Sequence, residues 1–368
     1  MTISLITTLL EKIAPIILQE DYDNVGLITG NKNWECKGVL VSLDITEDIL
    51  EEAIQENCNL IIAHHPIVFK GIKKFSGNSY VERVVIKAIK NDIAIYACHT
   101  NLDNMITGVN SKIADQLGLM NRSILQPKND LLEKLQLFSP KSHVEAIEKS
   151  LFEAGAGEIG NYSECDFVSE GIGSFKPGLG ANLYLGEMGI RHKENENKIE
   201  VIYPKWRRNY VIQAMKSAHP YEEVAYEITS LSNVYQDVGA GIIGELPVAV
   251  HAEVFLKLLS ESFHQQCIKH TSFTGRPIKK VAVCGGAGSF LTKLAIAAGA
   301  DIYVTSDVKY HEFFDADGKI ILADIGHFES EQYTIDLIYD VLRQNFPTFA
   351  VLKTKVISNP VHYFVNSY

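Results

Sequence analysis

The chain has 368 residues, of which 46% are hydrophobic and 21% are charged, a composition typical of a globular protein with two or three domains. Its formal net charge of −11 argues against general binding of nucleic-acid phosphates, because that affinity comes from an excess of Lys and Arg. No stretch approaches the ~18 consecutive apolar residues that can cross a bilayer, so association with a membrane is not expected.

The amino-terminal residues 1–19 combine an apolar pattern with a charged Glu11 in its middle, which predicts an amphipathic helix rather than a signal peptide. The six cysteines are scattered and form no CxxC pair. Such cysteines are typical of free thiols in a reducing cytosol, rather than of disulfides or a thiolate zinc site. We therefore expect a cytoplasmic protein.

Strand and helix patterns alternate through the first third of the chain. The predicted strands are 38–44, 59–63 and 93–99, and the predicted helices are 45–58 and 81–92. The strands are continuous apolar runs, whereas the apolar residues between them recur with helical spacing. This order predicts a mostly parallel sheet that is covered on both faces.

The middle of the chain has a different order. Strands are predicted at 133–140, 162–171, 198–204 and 224–231, and helices at 143–155 and 206–220. This is the βαββαβ order of a ferredoxin-like α+β domain. The glycines of 171–189 and the polar run 193–198 are expected to form its long turns.

The last third returns to alternating strands and helices. Strands are predicted at 279–286, 300–307 and 319–327, and helices at 288–299 and 330–346. The rhythm matches the first third, so we predict an α/β fold class in which two related sandwich halves, 1–127 and 236–368, form one core. Residues 128–235 form the inserted ferredoxin-like domain. The alternative is that any two βαβ units look alike.

Polar clusters follow three of the predicted strands, where ligands collect in open α/β sheets. His64 and His65 follow the second strand in LIIAHHPIVF, and His99 and Asp103 follow the third in HTNLDN. The third cluster, DIGHFESE, contains Asp324, His327 and Glu331. Taken singly, each is more often a structural residue or a helix cap than a ligand. Their recurrence at strand ends that should converge favours a metal site.

The adjacent histidines give the strongest signal. Neighbouring side chains of a strand point to opposite faces, and Pro66 ends the ladder behind His64 and His65. Two imidazoles that diverge at a sheet edge suit two neighbouring metal ions, with carboxylates in the remaining positions. Asp103 can supply one carboxylate. His327 and Glu331 face one site if Ser330 caps the following helix, and Glu331 is expected to bridge the ions.

Several other residues are weaker candidates. Five further polar residues are predicted to approach the cleft, where they would support the ligands or contact a substrate. They are Asp23, Asn24, Asp44, Asp307 and His311. The run CGGAG at 284–288 lacks the GxGxxG and P-loop spacings, so a tight turn with a close backbone approach is favoured over nucleotide binding. His219 is interpreted as a local structural residue.

The motifs YDNVGL, LIIAHHPIVF, HTNLDN and ADIGHFESE together resemble those of the dinuclear metal-centre proteins named GTP cyclohydrolase 1 type 2 homologs, the Nif-three-like family. The runs FEAGAGEIGNYSECDF and AHPYEEVAY resemble the CutA- or PII-like domain inserted in longer bacterial members. The resemblance implies that His64, His65, Asp103, His327 and Glu331 are the metal ligands. It also implies a ring-shaped homohexamer, a trimer of dimers, with metal sites facing an internal cavity and inserted domains at its openings.

Two hypotheses of function are compatible with these patterns. The first is a metal-dependent hydrolase of a nucleotide or related small molecule, with His99 or Asp44 handling protons beside two divalent ions. The second is a non-enzymatic hexameric scaffold or regulator whose PII-like domain binds a small ligand or a partner. Nitrogen and oxygen ligands suit zinc, iron or manganese, and zinc is our first expectation.

Overall fold

The computed structural model describes residues 1–180 and 184–364. The chain divides into unit 1, which consists of Met1–Pro127 and Asp237–Tyr368, and unit 2, which is Lys128–Gln236. The assignment of domains at 1–127, 128–235 and 236–368 stays a prediction. Among the described residues, no helix is long and apolar enough to cross a membrane.

The first segment of unit 1 alternates strands and helices as predicted. Its elements are α1 (Ile3–Ile13), β1 (Gly26–Thr29), β2 (Val39–Ser42), α2 (Glu47–Gln55), β3 (Leu60–Ala63), α3 (Tyr80–Lys90), β4 (Ala94–Ala97), α4 (Thr100–Asp103), α5 (Val109–Gln116) and β5 (Met120–Lys128). The predicted amino-terminal helix is α1. Thr46 caps α2 by accepting a hydrogen bond from the backbone of Ile49, and acidic residues fill the first turn of that helix, which favours its start there.

Unit 2 has the βαββαβ order. Its elements are β6 (Leu132–Pro140), α6 (Val144–Glu153), β7 (Asp166–Phe175), β8 (His192–Pro204), α7 (Arg208–Ala218) and β9 (Tyr226–Leu231). They form an antiparallel sheet in the order β7-β8-β6-β9. Both helices contribute to one apolar core with residues such as Leu135 and Ile199 of the sheet.

The predicted turns of unit 2 are partly wrong. Residues 171–175 belong to β7 and residues 193–198 belong to β8, where Gly171 pairs with Glu196 and Ser174 with Lys193. Pairing with the neighbouring strand satisfies their backbone groups, so the strands continue through residues of low strand propensity. Residues 181–183 of the predicted turn lie outside the described residues.

The second segment of unit 1 contains the remaining elements. They are β10 (Tyr235–Val250), α8 (Ala252–Phe263), β11 (Lys269–His270), β12 (Ile278–Ala287), α9 (Thr292–Ala297), β13 (Ile302–Ser306), β14 (Ile321–Asp324), α10 (His327–Glu331), α11 (Thr334–Asn345) and β15 (Val351–Lys353). The predicted helix 330–346 is therefore two helices. Ser330 lies inside α10 rather than capping a helix, and its hydroxyl donates to the carbonyl of His327.

Two sheets organise unit 1 and share one core. The first has the order β1-β4-β3-β2-β15 and the second β11-β14-β13-β12-β10-β5. One face of each sheet, represented by Ile62 and Val304, packs with α1, α5, α8 and α11 in a single apolar cluster. Each fully buried Val or Ile there contributes roughly 1.5–3 kcal/mol. The predicted α/β fold class is confirmed.

The two halves of unit 1 exchange strands. β5 comes from the first segment but joins the second sheet, and β15 comes from the second segment but pairs in parallel with β2 of the first sheet. Each sheet of unit 1 therefore contains strands from both segments of the chain. The central strands of each sheet are parallel, namely β2, β3 and β4 in the first and β12, β13 and β14 in the second. Within each sheet the carboxyl ends of these strands therefore lie at the same edge.

Candidate metal centre

The carboxyl ends of strands from both sheets bring the predicted site residues together. His64 and His65 follow β3, and Asp103 ends the short helix α4 after β4. His327 and Glu331 lie on α10, which follows β14. The ligand atoms come within 4.8 Å of one another in three groups, which are His64, His65 and His99; His65, His327 and Glu331; and His64, Asp103 and Glu331.

Glu331 lies at the centre of this cluster and is buried. Its Oε2 lies 2.9 Å from His65 Nε2 and 3.1 Å from His327 Nε2. The same oxygen lies 3.7 Å from His64 Nε2. Burial raises the pKa of Glu331, but the surrounding histidines lower it more, so this pKa lies well below its ordinary value. One carboxylate oxygen therefore faces three imidazole nitrogens.

His64 carries an unsatisfied ligand atom. Its Nδ1–H donates to the carbonyl of Cys98 at 2.8 Å, which leaves Nε2 as the unprotonated nitrogen. That Nε2 lies 3.6 Å from Asp103 Oδ1. Both atoms are shielded from solvent and have no hydrogen-bond partner among the described residues. Buried polar atoms are nearly always paired, so this pair of acceptors fits a cation placed between them.

Each of the other histidines rests against a carboxylate. The Nδ1 of His65 lies 2.7 Å from Asp44 Oδ1, and the Nδ1 of His327 lies 2.6 Å from Asp307 Oδ2. The Nδ1 of His99 lies 2.9 Å from Asp23 Oδ1 in the same way. Such carboxylates fix the ring orientation of metal-binding histidines and point Nε2 toward the ion.

The pKa values of the cluster favour positive charge near Glu331. Burial lowers the pKa of His64 to about 4, which keeps this imidazole neutral. Burial also lowers the pKa of His65, but hydrogen bonds to Asp44 and Glu331 outweigh it and raise the value to about 9. For His327, burial again lowers the pKa, but hydrogen bonds to Asp307 and Glu331 outweigh it and raise the value to about 11. A divalent ion would displace such protons, since a ligating imidazole must be neutral.

Asp103 shows the opposite shift. Burial, followed by the nearby carboxylate of Glu331, raises the pKa of Asp103 well above its ordinary value. Two carboxylates at one site repel each other unless a cation lies between them. The residues present therefore fit a divalent metal ion both in donor type and in electrostatics.

The other predicted residues divide into two sets. Asp23, Asp44 and Asp307 support histidines of the cluster through hydrogen bonds to Nδ1. Asn24 instead donates from Nδ2 to the carbonyl of Val68, and Asp324 accepts hydrogen bonds from the backbone of Val308 and Gly326. The side chain of His311 makes ring contacts with Tyr310 and Phe314.

Two supporting residues were not predicted as such. Ser358 donates from Oγ to Asp44 Oδ2 at 2.5 Å, but a serine near the end of the chain gives no sequence signal for that role. Gly286 has φ of +62°, and an added Cβ would collide with Glu331 Oε1. The tight turn predicted at 284–288 is wrong, because residues 284–287 belong to β12. The predicted close approach of the backbone is found at Gly286, but the sequence does not predict that Glu331 occupies the space.

These features define an α/β protein with a buried cluster of histidines and carboxylates that could hold metal. A sequence model of the Duf34/NIF3 family (NGG1p interacting factor 3) matches residues 1–360. The chain belongs to this family, and the resemblance predicted from its motifs is confirmed.

Similar proteins cover nearly the same length. The GTP cyclohydrolase 1 type 2 homolog of Halalkalibacterium halodurans is 40% identical, over 87% of this chain and 86% of that protein. The protein of the same name from Bacillus subtilis is 39% identical, over 84% of each. The crystal structure of a Bacillus cereus protein related to NIF3 superposes with a TM-score of 0.88 at 35% identity, covering 99% of both chains.

Proposed function

We propose that unit 1 binds two divalent metal ions and that the protein is a metal-dependent hydrolase of a nucleotide or related small molecule. The unpaired, solvent-shielded His64 Nε2 and Asp103 Oδ1 beside Glu331 carry this proposal. Support also comes from the name of its relatives, GTP cyclohydrolase 1 type 2 homolog.

The donors divide around Glu331 into two sets. His64 and Asp103 would hold one ion, His65 and His327 the other, and the Glu331 carboxylate would be shared. Two such ions would activate water for hydrolysis and polarise a bound substrate. Neutral imidazoles and carboxylates suit zinc, with iron and manganese as alternatives. Burial, with the nearby Asp103 and Glu331, raises the pKa of the Cys284 thiol to about 12, which disfavours a thiolate ligand.

Of His99 and Asp44, His99 is the better candidate for transferring a proton during the reaction. Its Nδ1 rests on Asp23, and its ring lies 5.2 Å from that of His64 and 5.4 Å from that of His65. Donation from Nδ1 leaves the other nitrogen, Nε2, able to take up a proton from a reactant. Asp44 is less suited, because His65 and Ser358 already occupy its two oxygens.

The resemblance to the family also supports a homohexameric ring. We extend the proposal to this assembly, which native mass spectrometry of the purified chain would test directly. A mass of six chains is expected, and a monomer or dimer alone would contradict it.

Elemental analysis followed by turnover assays tests the site. Wild type is expected to bind two metal ions per chain, and His65→Ala and Glu331→Gln fewer. His251→Ala is the matched control, because His251 is exposed and its side chain caps no helix. Each protein is then assayed with GTP and a panel of phosphodiesters.

Metal-dependent turnover that falls in both site variants would support the hydrolase. Two bound metals without turnover across the panel would contradict it and favour the scaffold or regulator. Full activity of a metal-depleted His65→Ala protein would also overturn the proposal, and absence of bound metal would overturn the site itself.

A further inference from the structure

Unit 2 contains a cavity that is separate from the metal centre in both its residues and its chemistry. Its volume is about 700 Å³, within the range of small-molecule sites. Most of the wall is formed by strand β7 and by the turn between α7 and β9, together with Pro177, Tyr184 and Leu185. All lining residues belong to unit 2, so the cavity shares no residue with the metal centre and its proposal does not rest on the proposed hydrolase activity.

A buried glutamate lines this cavity. Glu196 of β8 is only 7% exposed. Tyr221 Oη donates to its Oε1 at 3.0 Å, and no other hydrogen bond or ion pair to Glu196 is found among the described residues. Gly173 of β7 provides the space, since an added Cβ would collide with Glu196 Oε2. One neutral hydroxyl does not compensate a buried carboxylate, which normally requires a cationic partner.

Aromatic rings line the same cavity as the Glu196 carboxylate. The ring of Tyr221 lies 6.1 Å from that of Phe175 and 5.9 Å from that of Tyr184, and both tyrosines and Phe175 line the cavity. His219 fixes this arrangement, because its Nδ1 accepts from the backbone N–H of Tyr221 at 3.1 Å. Its Nε2 donates to the carbonyl of Phe138. The structural role predicted for His219 is thereby confirmed.

The charge of the lining disfavours anions. Besides Glu196, the cavity is lined by Glu170, Glu222 and Glu223, with Lys198 as the cation. Lys198 Nζ already lies 2.8 Å from Glu200, and Glu170 Oε1 lies 2.7 Å from Lys141 Nζ. These ion pairs compensate one charge of each sign in the lining, which leaves the remaining glutamates and a negative charge. A nucleotide or another polyanion would meet like charge here, whereas a cation would gain a carboxylate and the faces of several aromatic rings.

We propose that this pocket of unit 2 binds an organic cation, an ammonium group carried on an aromatic or apolar body. The ammonium lies at Glu196, and the apolar body packs against the wall formed by Phe175, Tyr184 and Tyr221. The combination of a buried carboxylate with an aromatic wall is the known chemistry of ammonium recognition.

Isothermal titration calorimetry of the full chain with benzyltrimethylammonium tests the proposal. This probe has no nitrogen lone pair, so it cannot coordinate a metal ion in unit 1. We expect saturable binding that is at least tenfold tighter than that of uncharged 2-phenylethanol. Glu196→Gln should weaken it at least tenfold, whereas the control Glu158→Gln, at an exposed position outside the lining, should not.

A second variant keeps the proposal testable if Glu196→Gln does not fold. Gly173→Ala places a methyl group where the Glu196 carboxylate lies, so it should lower affinity while every charge of the lining remains. Equal affinity for the cation and the alcohol would overturn the proposal. Absence of saturable binding of the cation to the wild type would also overturn it. So would binding of ATP that is tighter than binding of the cation and that Glu196→Gln strengthens further. A third contrary outcome is a Glu196→Gln variant that changes the oligomeric state but leaves the affinity for the probe unchanged.

Discussion

His65 and Glu331 are 266 positions apart in the chain, yet His65 Nε2 and Glu331 Oε2 lie 2.9 Å apart. His65 follows a strand of the first sheet and Glu331 follows a strand of the second. The cluster therefore exists only when both sheets of unit 1 have folded against their shared core. A metal ion bound there would stabilise that fold, because the unfolded chain has no such site.

Chelation should therefore destabilise the wild-type protein. Metal at 100 times its Kd contributes ~2.7 kcal/mol, which corresponds to roughly 3–4 °C in Tm for a chain of 368 residues. In Glu331→Gln the shift on adding EDTA should be less than half as large, because the shared carboxylate is lost. Differential scanning fluorimetry with and without EDTA measures this shift in Tm, and Glu158→Gln is the control. Equal shifts in both variants would count against a metal-binding role of Glu331.

Gly286 offers a test that leaves every ligand in place. An added Cβ at Gly286 would collide with Glu331 Oε1, whereas an added Cβ at Gly299 meets nothing within 4 Å. Both glycines have positive φ, +62° and +73°, so both alanine variants should lose a similar ~1–2 kcal/mol of backbone energy. Only Gly286→Ala should also lose bound metal by elemental analysis. Equal metal contents in the two variants would contradict the role of Gly286 in making room for Glu331.

Asp44 should tune the metal affinity through His65. Its Oδ1 lies 2.7 Å from His65 Nδ1, and Ser358 donates to its Oδ2. Removal of such a supporting carboxylate typically lowers metal affinity by roughly 10–100-fold. We therefore expect Asp44→Asn to bind metal more weakly by a factor in that range. Ser358→Ala should cost less, since Asp44 remains charged. Competition with a chromophoric chelator measures both, and Asp315→Asn, at an exposed position, is the control. Unchanged affinity in Asp44→Asn would assign Asp44 a purely structural role.

The sequence predicts the strands and the members of the cluster for a local reason. Apolar runs such as Leu60–Ala63 specify buried strands, and polar residues directly after parallel strands must share one edge. The ligand roles of His64, His65, Asp103, His327 and Glu331 stay a prediction, but their proximity is a feature of the fold.

What the sequence does not predict depends on contacts between distant segments. The exchange of β5 and β15 between the sheets is a matter of strand order, which no local pattern encodes. The role of Ser330 also depends on a distant segment, because its Oγ accepts a hydrogen bond from the backbone N–H of Gly286. Serines and glycines have many structural roles, so Ser358 and Gly286 give no distinct signal.

Unit 2 provides a prediction of pH dependence that does not involve the metal centre. The side chain of Glu133 is fully buried and accepts two hydrogen bonds from Arg208, from Nε at 2.8 Å and from a terminal nitrogen. Hydrogen bonds from Arg208 lower the pKa of Glu133, although burial opposes them. A lowered pKa in the folded state means that the stabilisation is complete above the ordinary glutamate pKa. It is lost as the pH falls through the lowered value.

Glu133→Gln should therefore lower the free energy of unfolding at neutral pH by ~1–2 kcal/mol, because half of the Arg208 side chain is exposed and solvent screens the pair. The difference from wild type should shrink as the pH falls from the ordinary glutamate pKa through the lowered value of Glu133, below which the carboxylate of the folded wild type is also protonated. Urea unfolding of the full chain at a series of pH values measures both free energies, followed by the fluorescence of Trp206 in a Trp34→Phe background because Trp34 belongs to unit 1. Glu158→Gln should match wild type throughout. A difference that is constant over the whole pH range would show that Glu133 stabilises unit 2 by packing and not by its charge.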